Sequence, residues 1–260
     1  MYVVKRVTGL VFWISLAMWI YVVFFKPPLP EPTQIRPEII EKDPVQTEIK
    51  MPPVKMTVKN FDYEITPIYE YEIFGVVVEQ YTSDNFLDFW HKKDPAQSRD
   101  LCLVWGKTIE NGVFREVNYR HGEFTCYLDW KKELENPFDP YELSNNHLLP
   151  KNQEVAALVS RADIGDQVRI KGWLSKYAIS EDGELISTRG TSITRQDMGN
   201  GACETILVTD LEILREQMPT RKLVKKVIPY VVLVSLILSV GLFFIEAEPK
   251  EKAKITFDRV

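Results

Sequence analysis

Two stretches of nineteen residues without a charge, Val7–Phe25 (VTGLVFWISLAMWIYVVFF) and Val227–Ile245 (VIPYVVLVSLILSVGLFFI), bracket this 260-residue chain. A helix rises about 1.5 Å per residue, so each stretch covers close to the ~30 Å hydrocarbon thickness of a bilayer. Neither has a polar face at helical spacing, and the chain between them is too short to enclose two such helices in a core. Residues 1–25 are therefore expected to form a transmembrane anchor and residues 227–245 a transmembrane helix. Pro229 is placed in the first turn of the second span, where a missing N–H does little harm. A cleaved signal peptide would have a shorter apolar region and small residues ahead of the cleavage site, whereas here the run continues through Tyr21–Phe25.

Charge beside the spans sets the expected orientation. Lys5 and Arg6 precede the first and argue for a cytoplasmic N-terminus, which puts the central domain outside. Arg221, Lys222, Lys225 and Lys226, in a basic juxtamembrane segment at 215–226, pull the other way, and Lys250, Lys252, Lys254 and Arg259 in the tail at 246–260 nearly cancel that bias. The first helix usually dominates, and large domains translocate largely regardless of charge. An extracytoplasmic domain is the expectation.

Residues 26–67 hold nine of the sixteen prolines and no glycine, a composition that favours extended geometry and reads as a solvated spacer. Residues 68–214 read as one β-rich domain. Strands are expected at Tyr71–Tyr81 (with Gly75 a bulge or bend), Asp100–Gly106, Gly122–Trp130, Gln167–Tyr177 and Cys203–Leu214. Leu185–Arg195 is expected to pair with the last of these across the Gly199-Asn200-Gly201 turn. Asn152 is a natural N-cap for a helix to Ala162, whose Val155, Leu158, Val159 and Ala162 form one apolar stripe. Strands with one helix after the third give the order of a partly open OB-like barrel. The expected fold is thus mainly β, an OB-like barrel flanked by two transmembrane helices.

The net charge is −5, which removes the global attraction that nucleic-acid binding exploits and counts against that partner. The three cysteines, Cys102, Cys126 and Cys203, show no CxxC pair. One disulfide plus a thiol is compatible with an oxidising compartment; three buried thiols are the preferred reading, because unpaired cysteine is among the most buried residue types. There is no GxSxG elbow, HExxH pair, phosphate-cradling loop or EF-hand pattern. His121 and Cys126 lack a second pair at zinc-site spacing, so no metal is expected, and no cofactor.

Two clusters carry chemistry. Ser144–Pro150 (SNNHLLP) reads as a polar loop whose His147 could act as acid, base or ligand near neutral pH. Ser192–Glu204 (SITRQDMGNGACE) gathers Arg195, Asp197 and Glu204 around a Gly-rich turn, where Arg195 could pair with a carboxylate or present its guanidinium to an anion. Trp105-Gly106, Asn146-His147-Leu148 and Thr194-Arg195 through Cys203-Glu204 together resemble a family of uncharacterised bacterial membrane-anchored proteins. That family carries a Trp-Gly after the second strand, a His-Leu-Ile-Pro-like loop and a Ser-Leu-Thr-Arg-Asp-Asp-x-Gly-x-Gly-Ala-Cys-Glu hairpin. Here Leu149, Ile193 and Gln196 depart from it. The resemblance spans roughly residues 70–214 and implies one domain in a bacterial inner membrane, with no activity attached.

Two anchors, a spacer and no catalytic signature lead first to a non-enzymatic, membrane-tethered binding or scaffold module of an envelope complex. Its partners would be the lipid bilayer and a protein, with Trp105, His147, Arg195, Asp197 and Glu204 as candidate contacts. The alternatives are an extracytoplasmic enzyme acting on an anionic or sugar substrate, in which His147, Arg195, Asp197 and Glu204 converge, and an oligonucleotide-binding module. The full chain is expected to stay with membranes through a high-salt, alkaline wash and to need detergent for release; recovery in the aqueous wash would remove both anchors at once.

Overall fold

The computed structural model describes residues 2–82, 94–97, 99–122, 125–130, 133–194 and 202–247. These fall into two compact units, one made of the two ends of the chain and one of Pro27–Gln217.

The first unit is a pair of helices, α1 (Tyr2–Phe24) and α5 (Pro219–Ala247), both long and apolar enough to cross a membrane. Their surface is inverted relative to a water-soluble pair. Trp13, Phe24, Tyr230 and Phe244 are exposed while Ser15 and Ser235 are buried, each hydroxyl donating to a carbonyl three residues back in its own helix. Small hydroxylated residues inside and large apolar ones outside is what a hydrocarbon solvent selects. Arg221 donates to the carbonyls of Val22 and Phe25, supplying partners for the end of α1 that has lost its own. The helix α5 begins eight residues before the expected span, so Pro229 lies in its interior rather than its first turn, where its ring denies a hydrogen bond to the preceding turn.

In the second unit the expected spacer is part of the domain. Residues 26–67 contain α2 (Pro37–Glu41), whose Ile39 is fully buried, and two strands, β1 (Val45–Glu48) and β2 (Val54–Val58). Both pair with β3 (Phe61–Thr82), which starts ten residues before its expected limit. Proline forbids a long helix but tolerates edge strands, and these two are edges. Over Phe61–Pro67, β3 alternates buried and exposed residues, as a strand with one wet face must. From Ile73 both faces fill, because the strand enters the centre of the sheet. Gly75 continues that strand; the bulge lies between Val77 and Glu79.

Seven further strands follow among the described residues. They are β4 (Arg99–Val104), the small hairpin β5 (Asn118–His121) and β6 (Cys126–Asp129), β7 (Leu143–Pro150), β8 (Gln167–Glu181) and β9 (Glu184–Arg189), and the last, β10 (Glu204–Arg215), closes the series. Pairing runs β3–β4–β7–β10–β8 and returns from β8 to β3, with β7 and β10 parallel and every other contact antiparallel. Two expectations change here. The third strand of this circuit is β7, expected as a polar loop, while the expected Gly122–Trp130 strand is half of a separate two-stranded sheet. The other change concerns β9, which pairs with β8 and not with β10. The helix α4 (Gln153–Arg161) forms as expected, Asn152 accepting from the Val155 N–H at 2.9 Å, and it provides the crossover that a parallel pair needs.

Two glycines are required by this packing. Gly172 sits where β8 closes on β10, and a Cβ there would lie 2.3 Å from the Leu207 carbonyl oxygen. Gly106, at φ +68°, follows Trp105 and opens α3 (Gly106–Glu110), whose first amides at Lys107 and Thr108 donate to the Glu142 carboxylate. A side chain at Gly106 would occupy the space of that carboxylate. Gly172→Val is expected to cost about 2 kcal/mol or more of stability by forcing the two strands apart; a denaturation midpoint equal to wild type would disprove the close approach.

Candidate functional site

A strand that reads Leu-Ser-Asn-Asn-His-Leu-Leu-Pro is an odd choice for the middle of a sheet, since asparagine is depleted in strands and Ser144–Leu149 are all buried here. Burying a polar side chain without a partner costs roughly 1–3 kcal/mol, so each of these must be satisfied locally. Side chains alternate across the sheet, and β7 therefore sends Asn145 and His147 to one face, Ser144, Asn146 and Leu148 to the other. Its register with β4 sets Asp100 opposite His147 and Cys102 opposite Asn145. On the other flank Glu204 pairs with Asn146 and Thr205 with His147, which brings Cys203 level with Asn145. Three strands thus place Asp100, Cys102, Asn145, His147, Cys203 and Thr205 on a single face.

His147 is the centre of this group. Its Nδ1 is 2.9 Å from Asp100 Oδ2 and 2.9 Å from Gln97 Nε2, and Gln97 in turn donates to Asp100 Oδ1 at 2.8 Å. Asp100, Gln97 and His147 are 1%, 1% and 3% exposed, so water screens none of them. Burial opposes the charged imidazole, but the hydrogen bond and charge of Asp100, then those of Cys203, outweigh it and push the pKa up to about 9. The same imidazole also interacts with the Cys203 side chain. Cys203 is the partly exposed member, the point where this network reaches the surface.

Supports extend on two sides. Tyr177 donates to Asp94 and lies 3.5 Å from Gln97 Oε1, and Tyr63 donates to Asp94 at 3.1 Å. Burial first, and the Asp94 charge second, hold both phenols protonated well above their ordinary range. On the opposite side, the β5–β6 hairpin is joined to β4 by the Cys102–Cys126 disulfide. This corrects the preference for three thiols and takes Cys126 out of any metal pairing with His121. The remaining thiol cannot exchange with Cys102 inside this sheet. Two strand spacings separate their backbones by roughly 9.5 Å, beyond the span a disulfide bridges.

Of the residues expected from sequence, His147 belongs to this site. Glu204 is buried on the opposite face beside Asn146, so the convergence of His147 with Glu204 is not what the fold builds. Trp105 is 1% exposed and packs in the main core with Phe114 and Leu103. Arg195 and Asp197 lie outside the described residues. The sequence reading passed over Asp100, Gln97, Asn145 and, as a chemical group, Cys203. The available signal was Asp100, a carboxylate leading an otherwise apolar strand. Comparison with protein-family models, with curated proteins and with solved structures returned no match.

The raised His147 pKa carries a pH dependence. The folded state holds the proton more tightly than the unfolded chain, whose imidazole titrates near 6.5. That stabilisation is complete below about pH 6.5 and is lost as pH climbs through about 9. Wild type should lose on the order of a few kcal/mol across this window, and His147→Gln should show a flatter profile; parallel profiles from chemical denaturation would contradict the buried Asp100–His147 pair.

Proposed function

We propose that this chain is a membrane-tethered thiol enzyme in which Cys203 is the nucleophile, His147 its base and Asp100 the residue that orients the base. The carrying observation is that Cys203, His147 and Asp100 stand side by side on three adjacent strands, with His147 Nδ1 2.9 Å from Asp100 Oδ2 and Cys203 the partly exposed member. A thiol is a weak nucleophile until a neighbouring base takes its proton, and that base works only when a third group fixes its ring. The reaction class is acyl transfer. With His147 already holding the proton, the sulfur adds as thiolate to the substrate carbonyl, the leaving group departs with a proton from the imidazolium, and the neutral imidazole then takes a proton from the water that releases the acyl group, which restores the starting pair. The Asn145 Nδ2, 3.5 Å from the sulfur, is a donor able to share charge on it.

The five-strand circuit with α4 between its third and fourth members fits an OB-type barrel. The net charge of −5 and the burial of the β7 face argue against using it for oligonucleotides. The inverted surface of α1 and α5 supports anchoring in a bilayer, and Lys5 with Arg6 supports an extracytoplasmic domain in a bacterial inner membrane. A disulfide beside the site suits that compartment.

Alkylation by iodoacetamide tests the site on the full chain in detergent, because Cys203 is the one cysteine outside the disulfide. At pH 7 the wild-type rate should exceed that of glutathione by about tenfold or more, and His147→Ala should remove the excess. A Cys203 as slow as glutathione and indifferent to His147 would return the domain to the non-catalytic role of holding a protein partner.

A further inference from the structure

The imidazole of His121, at the end of β5, is buried with 3% of its side chain exposed, although its hairpin belongs to a separate sheet. It is opposite Cys126 in that hairpin, so the disulfide to Cys102 holds it against β4 and β7. Tyr81 of β3 stacks on its ring with centroids 5.3 Å apart. Its Nδ1 contacts the Gly122 carbonyl, and its Nε2 lies 3.0 Å from Asn145 Oδ1 and 3.8 Å from Asp100 Oδ2. The far end of the same amide, Nδ2, points at the Cys203 sulfur from 3.5 Å.

Both ring contacts are to acceptors: the Gly122 carbonyl and Asn145 Oδ1 can only accept, so this orientation of the amide calls for a proton on Nε2. Remove the Nε2 proton and the contact survives only if the amide turns over, offering Nδ2 to the ring and Oδ1 to Cys203. An N–H donor facing the sulfur favours a thiolate, and a carbonyl oxygen facing it favours S–H. We propose that His121 is a positioning residue for Cys203: the proton on its Nε2 sets which end of the Asn145 amide meets the sulfur, and the Cys102–Cys126 disulfide keeps it in place to do so. Asp100 from β4, Tyr81 from β3 and, through Asp100, His147 from β7 are the ionisable groups that face it. This rests on Cys203 being the reactive group.

The test is the pH profile of Cys203 alkylation by iodoacetamide, followed by peptide mass spectrometry on the full chain in detergent. Wild type should show an inflection that persists in His147→Ala, because the amide turns independently of the base. His121→Phe, which keeps the stack on Tyr81 but has no donor, should lose that inflection and react roughly two- to tenfold more slowly at pH 7, the effect of one hydrogen bond. His121→Gln, whose amide is a donor that does not titrate in this range, should restore the neutral-pH rate without the inflection, and it carries the test if the Phe variant does not fold. Profiles of His121→Gln or His121→Phe that superimpose on wild type in rate and shape would overturn the proposal. A purely structural His121 would lower the melting temperature and leave the profile's shape unchanged. Loss of the His147 effect alone would instead strike the base assignment and leave the amide coupling standing.

Discussion

The parallel contact between β7 and β10 is the constraint from which the rest of the domain follows. Because the two strands run the same way, the chain must cross over between them, and α4 with the antiparallel β8 fills that crossover. The same contact encloses Asn146–Leu148 of β7 between β4 and β10, and the side chains of Ser144–Leu149 have no water to turn to. Only a strand held on both edges could keep two asparagines, a serine and a histidine inside. On one face Asn146 donates to the Leu101 carbonyl and to Ser144; on the other, Asn145 and His147 stand beside Asp100 and Cys203.

The surroundings of that line are arranged to hold rather than to touch. Gln97 donates to Asp100 beside His147, and Asp94 collects two buried phenols and, at 3.9 Å, the Arg189 guanidinium. A hairpin that makes no backbone ladder with the main sheet reaches the site through one covalent bond and one imidazole. Rigid support for a group at the surface is what a reactive side chain needs, since a base displaced by an ångström loses most of its effect.

Much of the architecture was legible in the sequence because it depends on local periodicity. Uncharged nineteen-residue runs, the Asn152 cap and the alternation in Val168, Ile170 and Leu174 each name their element without help from distant residues. The proline-rich stretch misled because proline reports what a backbone cannot do, and nothing local says that Ile39 finds a core. The largest difference, β7 read as a loop, has the same root. Asparagine prefers turns when it must satisfy itself, and only the neighbours supplied by β4 and β10 reverse that preference. With β7 misplaced, the cross-strand register was invisible, and so Asp100 and Cys203, 103 residues apart in sequence, could not be seen as partners of His147.

The strict alternation of faces along β7 has a consequence for how such a domain can change. Inserting or deleting one residue ahead of Asn145 would rotate the strand by half a turn of its pleat and swap the sets on its two sides. Asn146 after an insertion, or Leu148 after a deletion, would then stand where His147 meets Asp100, and the imidazole would be driven to the face of Leu101 and Ile206. Point substitutions leave this parity intact, so the family of tolerated variants should vary in length freely outside the strand and not at all within it.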